Sequence, residues 1–156
     1  GMGAHRMNVP KELAEYKLER AEIVVYLPAD WNISDHEEKN YWPLRWLKIL
    51  ARLPLEEDSW LGWGHSVPNG KPFAENTQLS SVLLINPENV EEGAAVCQLP
   101  NGEEVNFYQM IPLYEEEVNF KIQNGAETLL GKMGEISAVV DIHRLNVCEG
   151  FGRPKE

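Results

Sequence analysis

Residues 79–86, LSSVLLIN, decide the architecture. Val82, Leu83, Leu84 and Ile85 follow one another without a polar break, and Pro87 stops the run. A strand that does not alternate is covered on both faces, so its sheet needs helices on each side. A comparable run, AEIVVYLPADW at 21–31, carries Ile23, Val24, Val25 and Tyr26 ahead of Pro28. It reads as a second buried strand inside the same sheet. AVCQL and EVNFYQMI, joined through Asn101-Gly102, read as a hairpin, because Asn-Gly suits a tight turn. Cys97 falls within that apolar pattern and reads as a small buried hydrophobe, not as a nucleophile.

Helices surround these strands. Cap-type Ser34 and Asp35 precede Trp42, Trp46 and Leu50, and Pro43 suits a first turn, which predicts a helix over 43–53 lying on the sheet. The spacing of Leu13, Tyr16 and Leu18 predicts another over 10–20. Glu115, Glu116 and Glu117 suit the positive end of a helix that Gly125 terminates, and they read as a solvated start. Residues 134–150 fit helix or strand, and 153–156 should fray. Between the helix at 43–53 and the strand at 79–86, the stretch 54–76 holds Gly62, Gly64, Gly70, Pro68 and Pro72 and reads as a long loop. With no repeat and no linker, the expected fold is a single α+β domain over residues 1–156, a mixed β-sheet flanked by helices.

Twenty-five acidic residues against fourteen basic give a net charge of −11. That field repels phosphate backbones, so nucleic acid is excluded as a partner. No apolar run approaches the roughly 20 residues of a membrane span, so no membrane partner is expected either and the reading is cytoplasmic. Two cysteines, Cys97 and Cys148, make neither a disulfide framework nor a zinc motif. His65, Asp141 and His143 are the residues from which a small metal-dependent hydrolase would be built, yet no HExxH or paired CxxC accompanies them. A histidine held structurally by a carboxylate explains Asp141 and His143 more simply. No catalytic residue, cofactor site, cofactor or metal is therefore assigned. Trp60, Trp63, His65 and Phe73, set among glycines and prolines, either pin the loop or form a partner-binding or ligand-binding surface.

Six segments, in order, carry a resemblance. GMGAHRMNVP (1–10), AEIVVYLPADW with YWPLRWLKILARLP (41–54), GHSVPNGKPFAENTQLSSVLLINP (64–87), VNFYQMIPLYEEEVNFKIQNGAETLL (105–130) and HRLNVC (143–148) together resemble the suppressor-of-fused-like domain. The resemblance implies a mixed α+β domain that binds protein and has no enzymatic chemistry. Animal members sequester a transcription factor in Hedgehog signalling and carry a further C-terminal domain, so that role is not expected here. Bacterial single-domain members, several held to be immunity proteins, imply a partner such as a toxin encoded nearby. An acidic chain suits a basic one, because opposite fields speed association. The resemblance also implies that the family's N-terminal portion is missing. A sheet short of its edge strands exposes unpaired backbone, which predicts a homodimer through residues near 3–9 and one sheet edge.

Overall fold

The computed structural model describes residues 1–88, 90, 91, 93–134 and 139–152. The expected fraying at 153–156 and the 135–138 part of the ambiguous tail lie outside the described residues. Two 3-10 helices, Met2–Ala4 and Lys11–Tyr16, open the chain. They are followed by β1 (Arg20–Val24), α1 (Glu38–Glu56), β2 (Ser66–Pro68), β3 (Ser81–Ile85), β4 (Val96–Gln98), β5 (Glu104–Leu113), α2 (Glu115–Asn124) and α3 (Ala126–Met133). The strands form one mixed sheet in the order β1-β5-β3-β2, with β4 also paired to β5. β1 runs parallel to β5, Arg20 opposite Val105, whereas β2–β3 and β4–β5 are antiparallel. This is an α+β fold.

All of β3 is buried, as its unbroken apolar run requires. The hairpin also forms at the expected place: Leu99 N–H donates to the Glu103 carbonyl over 2.8 Å, and Gly102 takes φ +85° in the turn. β1 departs from expectation. It stands at the margin of the sheet with only Ala21 buried, and Val24 and Val25 are half-buried. A marginal strand has one neighbour instead of two, and its β-branched residues record strand preference more than depth.

The helix expected over 43–53 starts earlier and ends later, at Glu38 and Glu56. Asp35 holds its entry, accepting from Glu37 N–H at 3.0 Å and from Asn40 Nδ2 at 2.8 Å. Pro43 thus lies inside the helix, where it withholds one backbone donor but is itself fully buried, beside Trp42 in the chain. The stretch 54–76 is not all loop. It contains the end of α1 and β2, whose Val67 stands opposite Val82 of β3. The helix expected over 10–20 shrinks to the 3-10 turns of Lys11–Tyr16, none of them buried, because Lys17 turns left-handed at φ 53°. Cys97 is exposed, since it sits on the short outer strand of the hairpin, and Cys148 is the buried thiol.

The chain divides into two compact units. The first gathers residues 1–25, 43–65 and 84–110. Its opening turns are anchored within the chain: Gly3 N–H donates to Glu22 Oε1 at 2.7 Å, and Met7 N–H to the Glu19 carbonyl at 2.7 Å. Arg20 donates to the Gly3 carbonyl at 3.1 Å and to Glu103 at 2.5 Å, and Arg6 also reaches Glu103. The second unit gathers 26–42, 66–83 and 111–156. Trp42 stacks on Phe73 with ring centroids 4.6 Å apart, and Trp31 meets Trp42 edge-on at 6.2 Å. Leu79, Leu83, Leu113 and Leu129 are fully buried in this unit, each contributing about 1.5–3 kcal/mol by the area it removes from water. Among the described residues no helix is long and apolar enough to cross a membrane.

Candidate functional site

The three glutamates at 115–117 do not form a solvated helix start. Glu115 is exposed, but Glu116 is buried and Glu117 has no exposed surface. Successive helical residues point about 100° apart, so one member of such a triplet must turn inward where the helix lies on the core. The inward member is Glu117, and the fold supplies its counter-charge. Arg144 donates to both Glu117 oxygens, at 2.5 and 2.7 Å, and to the Pro112 carbonyl at 2.9 Å. Glu117 also accepts from the backbone N–H of Tyr114 at 2.8 Å and of Val147 at 3.1 Å. The Tyr114 hydroxyl closes the cluster by donating to the Arg144 carbonyl at 2.5 Å. Burial pushes that phenol above its usual range, against the pull of the Arg144 guanidinium.

This network pins the segment after Asp141 to the start of α2. Asn146 adds a further tie, donating to Glu116 Oε2 at 3.0 Å. Against the pinned segment the second unit opens a groove of about 750 Å³. Pro68 and Lys71 line it from the chain around β2, Glu115 and Ile122 from α2, and Leu145 and Glu149 from the closing segment. Lys121 donates to Ser66 Oγ at 3.0 Å, and burial lowers the affinity of its amine for a proton. Arg144 is committed to Glu117 and to backbone carbonyls, so the groove offers contact surface: aliphatic side chains, amides and carboxylates.

The residues singled out from the sequence fall in different places. In the first unit the Trp60 and His65 rings meet edge-on at 4.4 Å, and His65 Nδ1 accepts from Gly62 N–H at 3.2 Å. Gly62 has no room for a side chain, since a Cβ there would lie 2.7 Å from the Trp60 ring. Trp63 stands 39% exposed beside this knot. Phe73 belongs to the second unit, buried against Trp42. Asp141 and His143 are also in the second unit, both exposed, with Asp141 Oδ1 accepting from His143 N–H at 3.0 Å. Among the described residues no three His, Cys, Asp or Glu side chains converge so as to hold a metal ion. The pairing of Glu117 with Arg144 is not legible in the sequence, because an acidic run and a lone arginine 27 residues later carry no local sign of it.

Comparison with known proteins places this geometry in a family. The model of the Suppressor of fused protein (SUFU) family matches residues 1–145. An uncharacterized protein of Ureaplasma parvum serovar 3, UU111, is 28% identical over 145 residues, covering 92% of this chain and 69% of that protein. Three solved structures are similar over 69% of the chain. A Sufu-Fu complex has TM-score 0.58 and 16% identity, with 46% of that chain covered. Drosophila Suppressor of Fused has 0.57 and 16%, with 25% covered. A putative suppressor of fused homologue from Neisseria gonorrhoeae has 0.55 and 22%, with 57% covered. The chain therefore spans less than two thirds of each of these solved chains, and at such identities the likeness is one of fold. With 145 of its 156 residues matched by the family model, the chain belongs to the suppressor of fused family.

Proposed function

We propose that this chain is a non-catalytic protein-interaction module that binds and neutralises a partner protein, in the manner of an immunity protein acting on a toxin encoded nearby. Family membership over residues 1–145 carries the reading. A structure of similar fold, the Sufu-Fu complex, is an assembly of two proteins. A net charge of −11 favours a basic partner. Co-expression with the product of each neighbouring gene is the test. Capture of one product, with relief of its toxicity, supports the reading, whereas no capture and no protection overturn it.

Two finer proposals accompany this one. Trp60, Trp63, His65 and Phe73 contribute to partner contact, Trp63 directly and the others by holding their loops. Trp63→Ala then leaves the melting temperature unchanged while partner capture falls, and lost stability without lost capture would assign Trp63 to anchoring alone. The chain also self-associates through residues near 3–9 and one sheet edge, where His5, Arg6 and Asn8 are exposed. Light scattering should return about twice 17.8 kDa, and a monomer at micromolar concentration overturns the proposal.

A further inference from the structure

We propose that the groove lined by α2 and the closing segment receives a basic, leucine-like segment of the partner, cationic side chains alternating with aliphatic ones. The proposal rests on the protein-binding reading above and names the chemistry of what is bound. Among the described residues, the two most exposed large apolar side chains are Leu145 at 85% and Ile122 at 70%. Both line this one groove. Single exposed aliphatic residues are ordinary on a surface, but the two extremes lining a shared concavity mark a place where apolar surface is to be covered.

Their exposure is built in. Leu145 sits between Arg144, locked to Glu117 and the Pro112 carbonyl, and Asn146, bonded to Glu116. Both chain neighbours are tied inward, so Leu145 is held outward, and little ordering is left to be done on binding. Ile122 projects from a formed helix, one residue after Lys121 is tied to Ser66.

The charge around the groove selects the occupant. Glu115, Glu116, Glu149 and the Glu117 beneath them stand against Lys71, Lys121 and Arg144. Only Glu115, Glu149 and Lys71 of these are exposed, so the accessible rim is acidic and lies within the field of a chain carrying −11. A second copy of this chain is disfavoured as the occupant of this groove, because it would set an acidic surface against this acidic rim, away from the residues near 3–9. A segment with alternating lysine and leucine satisfies both features: aliphatic side chains against Ile122 and Leu145, ammonium groups toward Glu115 and Glu149.

The test uses the full chain and a fluorescein-labelled decapeptide of alternating Lys and Leu, followed by anisotropy. Lys–Ser and Glu–Leu decapeptides serve as controls. The Lys–Leu probe should bind, and both controls should bind at least about tenfold more weakly. In the chain, the double substitution Ile122→Ser/Leu145→Ser should weaken the probe by about tenfold. Glu115→Lys/Glu149→Lys should weaken it several-fold and flatten its salt dependence. Glu12→Lys, an exposed change in the first unit, should leave binding as it was. Amide shifts on titration should concentrate in 66–72, 115–122 and 144–149. Equal binding of the Glu–Leu control, wild-type affinity in both groove variants, or shifts concentrated elsewhere would overturn the proposal. The probe is synthetic, so the result does not depend on a toxin gene. If the parent chain protects in co-expression and both groove variants bind the probe normally, the protein-binding reading stands and the groove assignment falls.

Discussion

A carboxylate with no exposed surface needs an opposite charge and several donors, and Glu117 has both in Arg144 and the Tyr114 and Val147 amides. Removing one partner of such a pair leaves the other buried and unmatched. Glu117→Gln should therefore lower unfolding stability by about 3 kcal/mol, read as an earlier urea midpoint at neutral pH. Glu117→Met combined with Arg144→Met should recover much of that loss, since an apolar pair needs no counter-charge. Glu103 behaves differently because it lies at the surface. Hydrogen bonds from the Arg20 guanidinium, then from Arg6, hold its carboxyl below the ordinary value of 4.5. Its contribution is thus present above that value and is lost as pH falls through the lower folded one. Glu103→Gln should lower stability at neutral pH and make the acid limb of a pH–stability profile shallower. The acidic triplet announced a helix start in the sequence, and that much was legible. Which glutamate faced inward was not, because the answer depends on the surface the helix lies against.

Element boundaries follow the same division. The end of α2 was legible at Gly125, which takes φ 92° and ψ 155°, a backbone conformation that side-chain-bearing residues rarely adopt. Gly125→Ala should cost about 1–2 kcal/mol by thermal denaturation, although no neighbouring atom lies within 4 Å of the added Cβ. The penalty is conformational, so Gly70→Ala, at φ +84° with similar open space, should cost a comparable amount. α1 starts five residues before Pro43, earlier than the first-turn preference of proline predicts. Asp35, which accepts from the Glu37 amide and the Asn40 side chain, holds the turn that leads into the helix, and the burial of Pro43 outweighs the donor it lacks. The apolar runs Ile23–Tyr26 and Val82–Ile85 read alike along the chain, yet the first begins in the marginal, half-buried β1, which also carries Arg20 and Glu22, and the second fills the fully buried β3.

Across the whole chain, charge sets how a partner arrives and apolar surface sets how it stays. A net charge of −11 should make the association rate with a basic partner fall at least about tenfold between low salt and about 0.5 M, while dissociation changes little. Stopped-flow mixing at several ionic strengths measures both, and a salt-independent association rate would exclude electrostatic steering. The existence of β1, β3, β4 and β5, the Asn101-Gly102 hairpin, the helix end at Gly125 and the acidic field could all be read along the chain, whereas β2 was hidden in a stretch rich in glycine and proline. Each depends on residues adjacent in sequence or on a simple sum of charges. The marginal place of β1, the burial of Glu117 against Arg144 and the groove beside Leu145 could not. Burial and counter-charge are set by residues brought together from positions far apart in the chain, such as 117 and 144, and a local pattern has no record of who its distant neighbours will be.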